Sequence, residues 1–148
     1  VGAKNFDGAY MRVLKTLKSA ILISVLIAII NFLICPYTFK IFSAGEDVIK
    51  LGTIILIIDI ILEFGRSVNL VVINSMRAAG DIKFPTYLGM ASMWGVSVLF
   101  GYLLGIKLGF GLPGIWIAMA MDEWLRAIVV LIRWKKGTWR NKSIVEKA

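Results

Sequence analysis

Four apolar runs alternate with short charged connections along the chain. A helix needs roughly 20 apolar residues to cross the hydrocarbon of a bilayer, which sets four spans at about 19–39, 51–76, 84–106 and 112–132. The first run, around AILISVLIAIINFLI, is apolar on every side, as expected of a span with no polar face. Asn31 within it reads as a helix–helix hydrogen-bonding group, and Pro36 should kink or end the helix. The second run, LGTIILIIDIILEFGRSVNLVVINSM, carries Asp59, Glu63 and Arg66 near its middle. At 100° per residue, Asp59, Arg66, Asn74 and Arg77 fall within about 60° of Glu63, so one polar stripe runs down an oily helix. The third run is free of charge and places Gly101, Gly105 and Gly109 four residues apart, a small-residue series that lets another backbone approach closely. The fourth opens with Pro113-Gly114 and holds Asp122, Glu123 and Arg126 at its centre.

The flanks are different. In residues 1–18, Tyr10, Val13, Leu14 and Leu17 recur at helical spacing among Lys4, Arg12, Lys15 and Lys18, an amphipathic approach helix at the headgroup level or packed on cytosolic neighbours. Residues 40–50 and 77–83 read as turns, the latter around Gly80-Asp81. Residues 133–148 form a basic tail, with Trp134 and Trp139 placed as interfacial rings. The fold class is therefore all-α: a polytopic membrane helix bundle with four transmembrane helices.

Composition agrees. Hydrophobic residues make up 59% of the 148, against about 45–50% in a soluble domain. The net charge of +8 does not mark a nucleic-acid binder, because the basic residues flank apolar runs and form no aromatic-interleaved patch. They act as topology signals instead. Twelve of the seventeen Lys and Arg lie in the N-terminal segment, the 77–83 loop and the tail, and three lie in the other two connections, which places both ends in the cytoplasm of a multi-pass protein of the cell membrane. The single cysteine, Cys35, is a small core residue with no disulfide partner. With no histidine, no serine elbow and no metal-spaced ligands, an enzyme is not expected, nor is a metal or other cofactor. The chain starts Val-Gly-Ala without an initiator methionine and is read as part of a longer polypeptide.

A charge at the bilayer centre costs roughly 2.5–3.5 kcal/mol on insertion scales, so such residues normally face a protein interior or a wet cavity. Glu63–Arg66 and Asp122–Arg126 can pair within their helices, leaving Asp59 and Glu123 without a partner on their own helix. Asp59, Glu63, Arg66, Asn69, Asp122, Glu123 and Arg126 form the candidate substrate or ion pathway. The competing reading is a network that only fixes packing. An unpaired carboxylate in low dielectric can carry a proton, and a carboxylate cavity also suits Na⁺ or an organic cation, which puts Glu63 first.

The segments VGAKNFDGAY, GRSVNLVVINSMRAAGDIKFP, LPGIWIAMAMDEWLR and RWKKGTW, in this order, resemble the C-terminal part of a MATE (multidrug and toxic compound extrusion) transporter. The resemblance covers essentially the whole chain; the loop from Arg77 to Asp81 followed by Pro85 is its most specific piece. It implies a twelve-helix, two-lobe protein of which these spans are similar to helices nine to twelve. It implies export of drugs or other organic cations by alternating access, coupled to Na⁺ or H⁺, with the lipid bilayer, the remaining helices and a small cationic substrate as partners. A lipid or lipid-linked saccharide exporter of the same superfamily, or a structural membrane subunit, is the alternative. One departure stands out: the acid that helps bind the coupling cation in the NorM-like branch aligns with Arg66, and Glu63 is the nearest acid, one turn earlier.

Overall fold

Between Ala9 and Cys35 the chain has no glycine or proline to interrupt a helix. In the structure, a computed structural model that describes residues 5–41 and 45–142, α1 runs from Phe6 to Ile41 (36 residues). The approach segment and the first span are thus one continuous element, with no boundary at residue 18. Pro36 does not end it. The helix passes through, and the Thr38 hydroxyl donates to the Cys35 carbonyl at 2.9 Å beside the proline. Helix α2 follows over Glu46–Ala78 (33 residues) and α3 over Lys83–Lys107 (25 residues). The turn expected over 40–50 shrinks accordingly, since its two ends belong to α1 and α2. Helix α4 spans Gly111–Lys135 (25 residues), and a 3₁₀ turn over Thr138–Lys142 closes the described chain. The described residues contain no strand. Expectations that fall on residues 1–4, 42–44 and 143–148 lie outside the described residues: Lys4 of the approach segment, the middle of the first connection and the end of the basic tail.

Helix α2 is the central element. It packs against α1 on one side and α4 on the other, and α3 packs on the far side of α4. Small residues set these approaches. A β-carbon on Gly65 would sit 3.2 Å from main-chain atoms of Glu123 and Trp124, so α2 and α4 meet there with no room for a side chain. Between α3 and α4, a β-carbon on Gly105 would lie 2.7 Å from Ile115, and one on Gly114 would lie 2.8 Å from the Leu104 main chain. Gly101 faces Ala118 in the same seam. Gly109, the third of the spaced series, is not part of it: with φ +73° it turns the chain between the two helices, a conformation that favours glycine. Helix α3 also widens into π turns over Met93–Val98 and Leu103–Lys107.

Two helices, α1 and α3, are long and apolar enough to cross a membrane by themselves. Helices α2 and α4 exceed the spanning length but carry charges mid-helix. Helix α1 buries only Leu17, Ala28 and Cys35, while Leu22, Ile23, Leu26 and Leu33 stay exposed. Such a surface suits lipid or further helices and not water.

At one end of the bundle the aromatic tail folds inward. Trp134 and Trp139 are 2% and 0% exposed and stack with ring centroids 4.3 Å apart. This corrects the interfacial placement of both rings. Gly137, at φ +69°, reverses the chain after α4, and Trp139 comes back under Trp134, donating to its carbonyl at 3.1 Å. Tyr10 stacks on Trp134 and Phe6 meets Trp139 edge-on, so α1 joins the cluster. Asp81 is buried beside it. Arg133 grips it through Nε at 2.6 Å and Nη2 at 3.2 Å, and Lys142 reaches it at 3.2 Å. The described parts of the three basic regions counted as cytoplasmic therefore share one end.

Candidate functional site

Polar residues spaced three and four apart on α2 face two neighbours, and this divides the stripe. On the α1 side, Asp59 and Glu63 line a cleft of about 220 Å³ with Ser24 and Asn31. On the α4 side, Arg66, Asn69, Asn74 and Arg77 line a second cleft of about 220 Å³ with Glu123 and Arg126. The single shared space expected from the helical wheel is thus two clefts, one on each flank of α2. The ion pair between Glu63 and Arg66 joins them along the helix surface.

The second cleft is tightly knit. Asn69 is buried, and its Nδ2 donates to the Glu123 carbonyl at 2.8 Å and to Glu123 Oε2 at 2.7 Å. Arg126 Nη2 donates to Asp122 at 2.6 Å and to Glu123 at 2.9 Å. Glu123 therefore has a partner on its own helix after all, because i, i+3 reaches Arg126 as readily as i, i+4 does. Asp122 lines neither cleft. It is buried, accepts from the Ser92 hydroxyl of α3 and pairs with Arg126, so it ties α3, α4 and the cleft arginine together. Ser92 escaped the sequence reading; a lone serine in an apolar run carries no periodic signal, although it opens the first π turn.

Asp59 has no ion-pair partner among the described residues, and it is only half-buried. Asn31, expected to bond between helices, instead lines the carboxylate cleft and is exposed. The guanidinium groups of Arg66 and Arg126 pair with Glu63, Asp122 and Glu123, and Asp59 faces its cleft without such a partner among the described residues. Trp124 completes the frame by donating to the Ile61 carbonyl at 2.9 Å and stacking on Phe64 at 5.3 Å.

A family model described as MatE matches residues 1–103. The chain is 42% identical over 144 residues to an "Uncharacterized transporter YisQ" of Bacillus subtilis, covering 97% of this chain and 32% of that protein. It is 26% identical to a "Probable multidrug resistance protein NorM" of Pasteurella multocida, over 92% of this chain and 31% of that protein. A protein of the same description from Thermotoga maritima is 22% identical over 99% of this chain and 32% of its own length. The chain spans about a third of the length of these curated relatives. No solved structure matches it.

Proposed function

Since the chain belongs to the MatE family, we propose that it is the C-terminal part of a secondary active transporter that exports organic cations by alternating access in exchange for Na⁺ or H⁺. The observation that carries this reading is the pair Asp59 and Glu63, two half-buried carboxylates facing one cleft in the middle of an apolar bundle. A midplane carboxylate is costly unless it is paired or faces a wet cavity, and Asp59 has no ion-pair partner among the described residues. Na⁺ or H⁺ neutralises it in one state of the cycle and releases it in the other, which is the thermodynamic requirement for coupling. Arg66 stands beside Glu63 as its ion-pair partner, and the cation competes with it for the carboxylate. The described basic segments gathered at one end favour that end as the cytoplasmic one. The partners are the bilayer, the remaining helices of the full-length protein and a small solute.

In the full-length transporter, Glu63→Gln is expected to abolish ion-driven efflux while membrane expression persists. Efflux that continues at the unsubstituted rate removes Glu63 from the coupling step.

A further inference from the structure

Helix α1 packs with one face and leaves the opposite face open among the described residues. Its buried residues Leu17, Ala28 and Cys35 mark the side that meets α2. At 100° per residue, Arg12, Lys15, Thr16 and Ser19 fall within an arc of about 100° on roughly the other side. Ile23, Leu26 and Ile30 continue the same arc, and all of these side chains are exposed. The face changes character once, after Ser19: basic and hydroxyl-bearing before it, apolar beyond it. An open groove of about 580 Å³ lies over the polar half, lined by Met11, Arg12, Lys15, Thr16 and Ser19 with Gly8 at its end. Neither cation of the groove is neutralised. Asp7, the one acid of α1, lies on another side of the helix and pairs with Arg140 at 2.8 Å. Asp81, the other described acid at this end, is held by Arg133 and Lys142. Arg12 and Lys15 have no salt-bridge partner among the described residues. The hydroxyls are unengaged too. Thr53, Ser75 and Thr86 return theirs to the carbonyl four residues back, whereas Thr16 and Ser19 donate to no described residue.

We propose that this face of α1 binds one anionic phospholipid from the leaflet at that end of the bundle. Arg12 and Lys15 hold the phosphate, the hydroxyls of Thr16 and Ser19 donate to it, and an acyl chain lies along Ile23, Leu26 and Ile30. Spacings of three and four residues make these polar side chains neighbours on the helix surface, and charged donors to a phosphate form the stronger class of hydrogen bond. Basic clusters beside a span attract the anionic headgroups of a membrane surface. From Ser19 to Ile30 is about 16 Å at 1.5 Å per residue, about half of a hydrocarbon core some 30 Å thick. The apolar half of the face thus matches one leaflet in length, and it is what selects a lipid over a soluble anion. The site uses neither Asp59 nor Glu63, and it stands apart from the exporter reading.

The test uses the purified full-length transporter in a neutral detergent, with dioleoylphosphatidylglycerol and dioleoylphosphatidylcholine as probes and native mass spectrometry to measure bound lipid. The wild-type protein is expected to hold phosphatidylglycerol at least about tenfold more tightly than phosphatidylcholine, and Arg12→Gln combined with Lys15→Gln to remove that preference. Lys135→Gln combined with Lys136→Gln takes the same charge from exposed positions at the end of α4 and is expected to leave the preference intact. A phosphatidylglycerol with a photoactivatable acyl chain is expected to label wild-type α1 between Leu22 and Ile30, a readout that needs no variant to fold. Glycerol phosphate in excess is expected not to displace the lipid. A wild-type protein without preference overturns the proposal, as does an Arg12/Lys15 variant that keeps it. Loss in both double variants reduces the effect to general surface charge, displacement by glycerol phosphate assigns the groove to a soluble anion, and label confined to other helices places one of them over this face; each of these results also overturns it.

Discussion

Asn69 on α2 donates from one amide nitrogen to both the main-chain carbonyl and the side-chain carboxylate of Glu123 on α4. The contact fixes the rotation of one helix against the other at the point where the polar clefts diverge. Asn69→Leu removes both bonds and leaves the carboxylate to Arg126 alone. The expected cost is about 1–2 kcal/mol, the range for polar contacts between membrane helices. Asn69→Asp sets a second carboxylate against Glu123 and is expected to cost more. Thermal melting of the full-length protein in detergent checks the order, and equal melting of all three forms contradicts it.

Gly65 and Gly89 offer a matched pair. A methyl group on Gly65 presses on the main chain of α4 at 3.2 Å, which cannot rotate away, whereas nothing lies within 4 Å of one on Gly89. Gly65→Ala is expected to destabilise by about 1–3 kcal/mol through overpacking. Gly89→Ala is expected to be neutral or to stabilise by up to about 1 kcal/mol through helix propensity. Melting of the two variants side by side tests the seam, and a Gly65→Ala protein as stable as the Gly89→Ala one places the helices further apart than described.

Asp81 supplies a pH prediction at the tail end of the bundle. Burial pushes its carboxyl upward, but the hydrogen bonds and charges of Arg133 and Lys142 outweigh that and hold it below the ordinary value of 3.8. A depressed folded value means that the contribution is fully present above that ordinary value and is lost as pH falls through the lower, folded one. The Trp134–Trp139 stack is the reporter. Its fluorescence is expected to stay constant from neutral pH down to the ordinary carboxylate range and to change only below about 3.8. In Asp81→Asn that acid step is absent. A transition near pH 5 that persists in the variant assigns the titration to another group.

The all-α class and the helical character of the four runs were legible because apolar length and charge-free extent are local properties of the sequence. The division of the polar stripe was not. A helical wheel places Asp59, Glu63, Arg66 and Asn69 around α2 but says nothing of where α1 and α4 lie, and those two helices decide which cleft each side chain enters. The tryptophans show the same limit. Trp134 and Trp139 have the composition of interfacial anchors, and only the left-handed turn at Gly137 carries the second ring back beneath the first. Asp81 was read as turn chemistry, and its guanidinium partner lies 52 residues away. Of the Gly101–Gly105–Gly109 series only Gly105 makes a close approach, Gly101 lies at ordinary contact distance from Ala118, and Gly114, outside the pattern, makes the tightest contact with the α3 main chain.

Asp7 at the start of α1 and Arg140 in the closing 3₁₀ turn meet across 133 residues of sequence, 2.8 Å apart. Because Arg140 follows α4 in the chain, the contact that closes this end forms only after all four described helices have been made. Until then α1 has neither Trp139 nor Arg140 to hold it, and its remaining neighbour is α2. Closure of this end of the bundle is therefore late in the chain's synthesis, because it needs α1, α4 and the turn that follows α4.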